Sequence, residues 1–179
     1  FKDSIAREEG DDYYGTLDEL ARRHQPGCDG AMFIPYLTGG NGDYPNVRGT
    51  FTGLTLDSDQ GAMWRCVLEG IGYDYMEITD RYRKAGIDLT QHQHHEAAAH
   101  ELWNQIKADM LDTKVVTLKV AGGAVPTNCI VAAYAAGDIP DLKTGPPAPA
   151  GNQGTYVPDE NHTATYRRPM TKRENLLKA

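Results

Sequence analysis

The longest regular hydrophobic pattern in the chain lies between Ser58 and Ala85. Apolar side chains recur there at intervals of three and four residues: Met63, Val67, Ile71, Tyr75, Ile78 and Tyr82. Residues at this spacing share one face of an α-helix, so the pattern predicts a helix over Ser58–Ala85 that Gly86 ends. We expect it to be the longest helix of the chain. Four of its side chains are expected in the core: Met63, Val67, Ile71 and Ile78.

Shorter segments on both sides of this helix alternate between strand and helix patterns. Compact apolar or β-branched runs predict strands at Ala31–Leu37, Thr50–Leu56 and Val115–Val120, and Val115–Val120 is expected in the same sheet as Ala31–Leu37. Helices are predicted at Glu101–Leu111 and Asn128–Ala136. This alternation predicts an α/β domain over residues 1–145, followed by a Pro/Gly-rich linker at 146–154 and a tail helix within 155–179.

Composition excludes several classes of protein. The chain of 179 residues carries a formal net charge of −7, which disfavours a surface for nucleic-acid phosphates. Its apolar runs are far shorter than the roughly 18 residues that a membrane span requires, so no membrane partner is expected. The three widely spaced cysteines form no CxxC pair, which predicts reduced thiols and a cytoplasmic location.

A histidine-rich segment is the densest chemical cluster in the sequence. Its histidines are His92, His94, His95 and His100, and Glu96 and Glu101 lie among them. HEAAAH at 95–100 departs from the HExxH zinc motif, since five residues on a helix turn the second imidazole about 140° from the first. In a loop, three of these imidazoles could still chelate a metal ion. We expect no structural metal, and a metal-binding module remains an alternative.

Six segments, taken in order and spacing, resemble the carboxy-terminal domain of the FGGY family of carbohydrate kinases, closest to its xylulokinase-like members. They are Pro26–Leu37, Val47–Leu54 (an Arg-Gly-x-Phe-x-Gly-Leu turn), Met63–Tyr73, Leu102–Leu111, Ala121–Gly137 and Tyr156–Tyr166. Glu69 and Gly70 stand at the family's Glu-Gly.

The resemblance implies a ribonuclease-H-like fold of the actin, Hsp70 and hexokinase type, of which this chain is the C-terminal half. It implies transfer of the γ-phosphoryl group of ATP to a sugar hydroxyl, with a ketopentose such as xylulose as the expected substrate. ATP and Mg²⁺ would serve the complete kinase. The catalytic base would belong to a missing N-terminal kinase domain, so no catalytic residue is expected here and the chain alone should be inactive. A homodimer is left open.

Nucleotide binding is where the chain departs from this family. The family's Gly-Gly-Gly adenosine motif is replaced by TQHQHHEAAAHE at 90–101. GGAVPTN at 122–128 imitates that motif, and it nominates Gly122, Gly123 and Asn128 as nucleotide-binding residues at a helix N-terminus. The other interpretation is a small-residue helix that packs closely on the sheet. A non-catalytic structural or oligomerisation fragment, without nucleotide binding, is therefore the rival function.

Overall fold

A computed structural model describes residues 13–40, 43–87, 94–96, 101–118, 124–142 and 152–178. Its helices are α1 (Tyr13–Ala21), α2 (Gln60–Lys84), α3 (Glu101–Leu111), α4 (Ala124–Ala136), α5 (Glu160–Arg167) and α6 (Met170–Lys178). Its strands are β1 (Met32–Ile34), β2 (Thr50–Thr52), β3 (His94–Glu96), β4 (Val115–Leu118) and β5 (Asn152–Tyr156). None of these helices is both long and apolar enough to cross a bilayer.

α2 is the longest helix in the described part of the chain, as predicted. It begins after Asp59, whose carboxylate accepts a hydrogen bond from the backbone N–H of Ala62 at 2.9 Å. This contact satisfies one of the backbone donors that a helix start leaves open. The helix ends before Gly86, which has a φ of +80°. The predicted bounds are confirmed to within two residues.

The prediction of which α2 face is buried is wrong. Met63, Val67 and Ile71 are only half-buried, and Ile78 is 48% exposed. The opposite face of α2 packs into the core instead. Its buried residues include Ala62, Cys66, Glu69, Gly70, Gly72, Tyr73 and Met76.

Close backbone packing explains this choice of face. A Cβ added to Gly70 would collide with the carbonyl oxygen of Phe33 in β1, and one added to Gly72 would collide with the Met110 side chain of α3. Small residues let neighbouring elements approach more closely than the larger apolar stripe would allow. The glycine-bearing face therefore lies against β1 and α3.

The strands form two sheets in the described residues, so the prediction that Val115–Val120 joins Ala31–Leu37 is wrong. β1 pairs antiparallel with β2, whereas β4 lies between β3 and β5. Both edges of β4 are thus occupied, by a parallel neighbour and an antiparallel one. Leu118 ends β4 as described, and residues 119–120 lie outside the described ranges.

The C-terminal residues belong to the same packed unit as the sheets. β5 includes residues 152–154, which the sequence assigns to the linker, and residues 155–179 contain two helices rather than one. Tyr166 of α5 and Leu177 of α6 are buried in one cluster with Ile106 of α3 and Tyr73 of α2. The domain boundary at 145 stays a prediction, because residues 143–151 lie outside the described part.

Candidate functional site

Strands β3 and β4 run in parallel, with His94 opposite Val115 and Glu96 opposite Thr117. Their carboxyl ends therefore lie at the same edge of the sheet. Each strand leads into a helix, α3 after β3 and α4 after β4. In open sheets with parallel strands, ligands bind outside the carboxyl ends of the strands, where helix N-termini present free backbone N–H groups. This edge is the candidate ligand site.

The nominated nucleotide residues follow β4 in the sequence. Gly122 and Gly123 lie outside the described residues, directly before Ala124, where α4 begins. Asn128 is an exposed residue of α4, one turn into the helix. The predicted helix Asn128–Ala136 is thus confirmed and starts four residues earlier. Whether these three residues bind a nucleotide stays a prediction.

The histidine-rich segment contains a strand that the sequence analysis missed. His94, His95 and Glu96 form β3, although no residue there is β-branched. His92 and His100 lie outside the described residues. Among the residues that the structure describes, no three His, Cys, Asp or Glu side chains are grouped so that they could hold a metal ion.

A buried charge network lies at the centre of the fold. The carboxylate of Glu69, 1% exposed, accepts hydrogen bonds from Arg65 Nε at 2.7 Å, from the Tyr166 hydroxyl at 2.9 Å and from the Gly27 N–H at 3.1 Å. Burial raises the pKa of Glu69, against the lowering effects of Arg65 and of the Gly27 N–H. The network joins α2, α5 and the turn before β1. Its three side chains, Glu69, Arg65 and Tyr166, are all buried, which indicates a structural role.

The turn that Glu69 holds has an uncommon backbone. Gly27, Cys28, Asp29 and Gly30 all have φ between 44° and 90°, a left-handed region that non-glycine residues rarely adopt. The Cys28 thiol donates to the Ala62 carbonyl at 3.6 Å. The hydrogen bond with Cys66 is the larger cause, and burial the next, of a pKa of Cys28 far above its ordinary value. The Cys28 thiol therefore stays protonated at neutral pH and is not a nucleophile there.

A second charged chain connects the loop after β1 to α6. Asp43 accepts from Arg81 at 2.6 Å, and Arg81 in turn contacts Glu77 at 2.6 Å. The fully buried Arg173 donates to Glu77 at 2.6 Å and also to Asp74. Burial would raise the pKa of Glu77, but hydrogen bonds from Arg173 and Arg81 outweigh it, and the pKa is lowered. Asp43 is thus neutralised by an arginine.

Sequence comparison decides the family. The model of the "FGGY family of carbohydrate kinases, C-terminal domain" matches residues 1–136. The chain belongs to the FGGY family. Its fold is that of the C-terminal half of the sugar kinases of the actin and hexokinase type, as the resemblance implied.

Individual FGGY kinases are similar over most of this chain. A gluconokinase of Bacillus licheniformis is 30% identical over 182 residues, which are 97% of this chain and 34% of that protein. A xylulose kinase of Staphylococcus epidermidis is 30% identical over 122 residues, 66% of this chain and 24% of that protein. The crystal structure of xylulose kinase from Rhodospirillum rubrum superposes with a TM-score of 0.74 at 25% identity, covering 96% of this chain and 34% of that one. The chain spans about a third of the length of the first relatives it matches.

The FGGY Glu-Gly pair has a physical explanation in this structure. Glu69 holds the turn before β1, and Gly70 lies against the Phe33 carbonyl oxygen. Sequence reasoning located this pair but missed its partners, Arg65 and Tyr166. Arg65 could have been found, because an arginine four residues before a glutamate on a helix is placed to pair with it. Tyr166 gave no such signal.

Proposed function

We propose that this chain is the C-terminal half of an ATP-dependent sugar kinase. The parallel register of β3 and β4 carries the proposal, because it brings two strand-to-helix connections to one edge of the sheet. One connection contains Gly122 and Gly123, immediately before α4. Glycines allow the backbone to approach a ligand closely, and the N–H groups of a helix start favour an anionic or electron-rich group. An ATP-binding role of Gly122, Gly123 and Asn128 fits this arrangement.

The other connection fits ATP less well. It follows Glu96 and reads Ala-Ala-Ala-His at residues 97–100, with no glycine. Side chains there hinder close backbone approach, and a carboxylate repels phosphate oxygens. We therefore expect this half by itself to bind Mg-ATP with a Kd on the order of millimolar, about −4 kcal/mol.

The complete reaction requires a second half. A sugar hydroxyl attacks the γ-phosphorus, ADP leaves, and a carboxylate base accepts the hydroxyl proton. No group of three metal-ligating side chains occurs among the described residues, so nothing in them assigns the Mg²⁺ of the reaction to this half. The N-terminal kinase half would supply the base, the phosphate turns and most sugar contacts. The length of the relatives, about three times the matched part, supports this division.

Two sugar classes compete as the substrate. A ketopentose such as xylulose is our first candidate, supported by the likeness to xylulose kinases in sequence and fold. Gluconate is the second, because the gluconokinase of Bacillus licheniformis matches 97% of this chain. In the family resemblance, the residues that choose between sugars belong to the N-terminal half.

Calorimetric titration of the chain with Mg-ATP tests the nucleotide site. The double variant Gly122→Val/Gly123→Val should lose the weak binding, and Asn128→Ala should reduce it. Gly86→Asn is the matched control, because Gly86 has positive φ, which asparagine tolerates, and open space around it. Equal binding by the valine variant and the wild type would contradict the assigned site. Absence of ATP binding by the wild type up to about 10 mM would favour the non-catalytic rival.

A coupled ADP-release assay tests the activity. The chain alone should release no ADP with xylulose, ribulose, gluconate or glycerol. Joined to the N-terminal half of its own kinase, it should release ADP with one of them, and that sugar identifies the substrate. Sugar-dependent ADP release by the isolated chain would contradict the half-enzyme proposal.

A further inference from the structure

Two of the three cysteines lie together in the core. Cys28 belongs to the left-handed turn before β1, and Cys66 belongs to the core face of α2. Both are buried, and they share one core cluster with Ala31 and Phe33. The Cys28 thiol donates to the Ala62 carbonyl oxygen, which in a helix also accepts the N–H of the residue four positions later, Cys66. The fold therefore brings Cys28 against the part of α2 that carries Cys66.

The thiols of these two residues are in contact. Cys28 and Cys66 interact through a side-chain hydrogen bond, and both are free thiols in this structure. Two cysteines can form a disulfide only where the fold already places their side chains against each other. Cys28 and Cys66 meet this condition, although the whole of β1 and β2 lies between them in the sequence.

The turn that carries Cys28 offers a way for an oxidant to enter. Cys28 and Asp29 have φ of 44° and 51°, a left-handed conformation that residues other than glycine adopt at a cost in free energy. The turn is held on α2 by the hydrogen bond from the Gly27 N–H to Glu69. Buried thiols react only when an oxidant reaches them, and local opening of a strained turn exposes both sulfur atoms. We therefore expect oxidation of this pair to be slow but specific.

We propose that Cys28 and Cys66 form a redox-modification site, at which a hydroperoxide such as hydrogen peroxide produces an intramolecular disulfide between the turn before β1 and α2. The proposal does not depend on the kinase activity. It assigns a chemical function to two buried thiols that the proposed sugar-kinase reaction does not use.

The reaction has two steps. The Cys66 sulfur attacks one peroxide oxygen, the O–O bond breaks, and Cys66 becomes a sulfenic acid while its thiol proton leaves with the other oxygen as water. The Cys28 sulfur then displaces the hydroxyl group from the Cys66 sulfur, and the Cys28 proton leaves with that group as a second water. Cys66 reacts first because the raised pKa of Cys28 keeps that thiol protonated. Two thiols are thus oxidised by two electrons, and one peroxide is reduced to two waters.

The disulfide would link the turn covalently to α2. In the reduced chain, Glu69 makes this link by accepting the N–H of Gly27. The disulfide closes a loop that contains β1 and β2. Closing such a loop limits the conformations of the unfolded chain and thereby raises the free energy of unfolding. Oxidation of this pair should therefore stabilise the fold.

Peptide mapping tests the pairing in the Cys129→Ser variant, because Cys129 is an exposed thiol. The folded chain is treated with hydrogen peroxide, quenched with catalase, unfolded in iodoacetamide and digested with trypsin without reductant. Trypsin places Cys28 in the peptide 24–48 and Cys66 in the peptide 66–81. The expected product is these two peptides joined by a disulfide that dithiothreitol breaks. Alkylation of both cysteines, a disulfide between two copies of one peptide, or sulfinic acids without a link would each overturn the proposal.

Urea unfolding measures the consequence of the link. The urea midpoint of the oxidised chain should lie about 1 M above that of the reduced chain, with unchanged far-UV circular dichroism. Cys28→Ala and Cys66→Ala, each in the Cys129→Ser background, are the matched controls: neither should give joined peptides or a higher midpoint after peroxide. An unchanged or lower midpoint in the disulfide-linked chain would overturn the stabilising role. The peptide map of the Cys129→Ser chain decides the pairing even where an alanine variant fails to fold.

Discussion

The carboxylate of Glu69 accepts a hydrogen bond from the backbone N–H of Gly27, 42 residues earlier in the chain. Gly27 opens the left-handed turn before β1, and Glu69 lies on the core face of α2. One buried side chain thus fixes how the longest helix meets the first strand. The same carboxylate holds Arg65 and Tyr166, so its loss affects three contacts at once.

Glu69→Gln should lower the free energy of unfolding by about 3 kcal/mol, because it leaves the Arg65 guanidinium buried without an opposite charge. Urea denaturation followed by circular dichroism measures this. Adding Arg65→Met should recover part of the loss, since it removes that charge. Glu19→Gln is the control: its side chain is 75% exposed, and its effect should be below about 0.5 kcal/mol. Equal effects of the two glutamine variants would argue against the network.

Gly70→Ala should destabilise the fold by about 2 kcal/mol, although alanine is the better helix former. The new methyl group would collide with the Phe33 carbonyl oxygen. The backbone of β1 would have to shift to relieve this collision, which costs free energy of folding. Thermal unfolding measures the effect. Asp80→Ala makes the matched comparison, because Asp80 is an exposed residue of the same helix; it should shift the melting temperature little. An unchanged melting temperature in Gly70→Ala would disprove the close packing.

Asp59 should give α2 a pH-dependent stabilisation. A hydrogen bond from the Ala62 N–H, together with the nearby His24, lowers the pKa of Asp59 below its ordinary value of 3.8. The stabilisation is therefore complete above that value and is lost as the pH falls through the lower pKa of the folded state. Asparagine also caps helices but carries no charge. The free energy of unfolding of the wild type should therefore exceed that of Asp59→Asn by about 0.5 kcal/mol near pH 6 and by less near pH 3. Denaturant unfolding at several pH values measures the difference. A difference that grows toward low pH would contradict this assignment.

The histidine-rich segment should hold no structural zinc. Structural zinc sites close four ligands around the ion at about 2.0–2.3 Å, and no cysteine lies near the histidines at 92–100 in the sequence. Elemental analysis after dialysis against a chelator measures bound metal. The expected result is far less than one zinc per chain, and one tightly held zinc per chain would prove the prediction wrong.

The elements whose signal is local could be predicted from the sequence. The bounds of α2 follow from its periodicity, its Asp59 cap and Gly86, and α3 was predicted with the bounds it has, Glu101–Leu111. Gly122 and Gly123 stand directly before α4, and their role in nucleotide binding stays a prediction. β3 was missed because its three residues have no β-branched side chain, and its pairing with β4 is a contact between distant segments.

The sequence by itself determined that α2 is a helix with an apolar stripe along one face, and that the chain has the segments of an FGGY kinase. Only the tertiary structure decided which side is buried. Periodicity records where apolar residues lie, but burial depends on how closely neighbouring backbones approach. Gly70 and Gly72 allow β1 and α3 to come nearer than the stripe around Ile71 would. The partners of Glu69 could not be predicted from the sequence either, because they are distant along the chain. Gly27 and Tyr166 lie 42 and 97 residues away from Glu69 and contact it only in the folded structure.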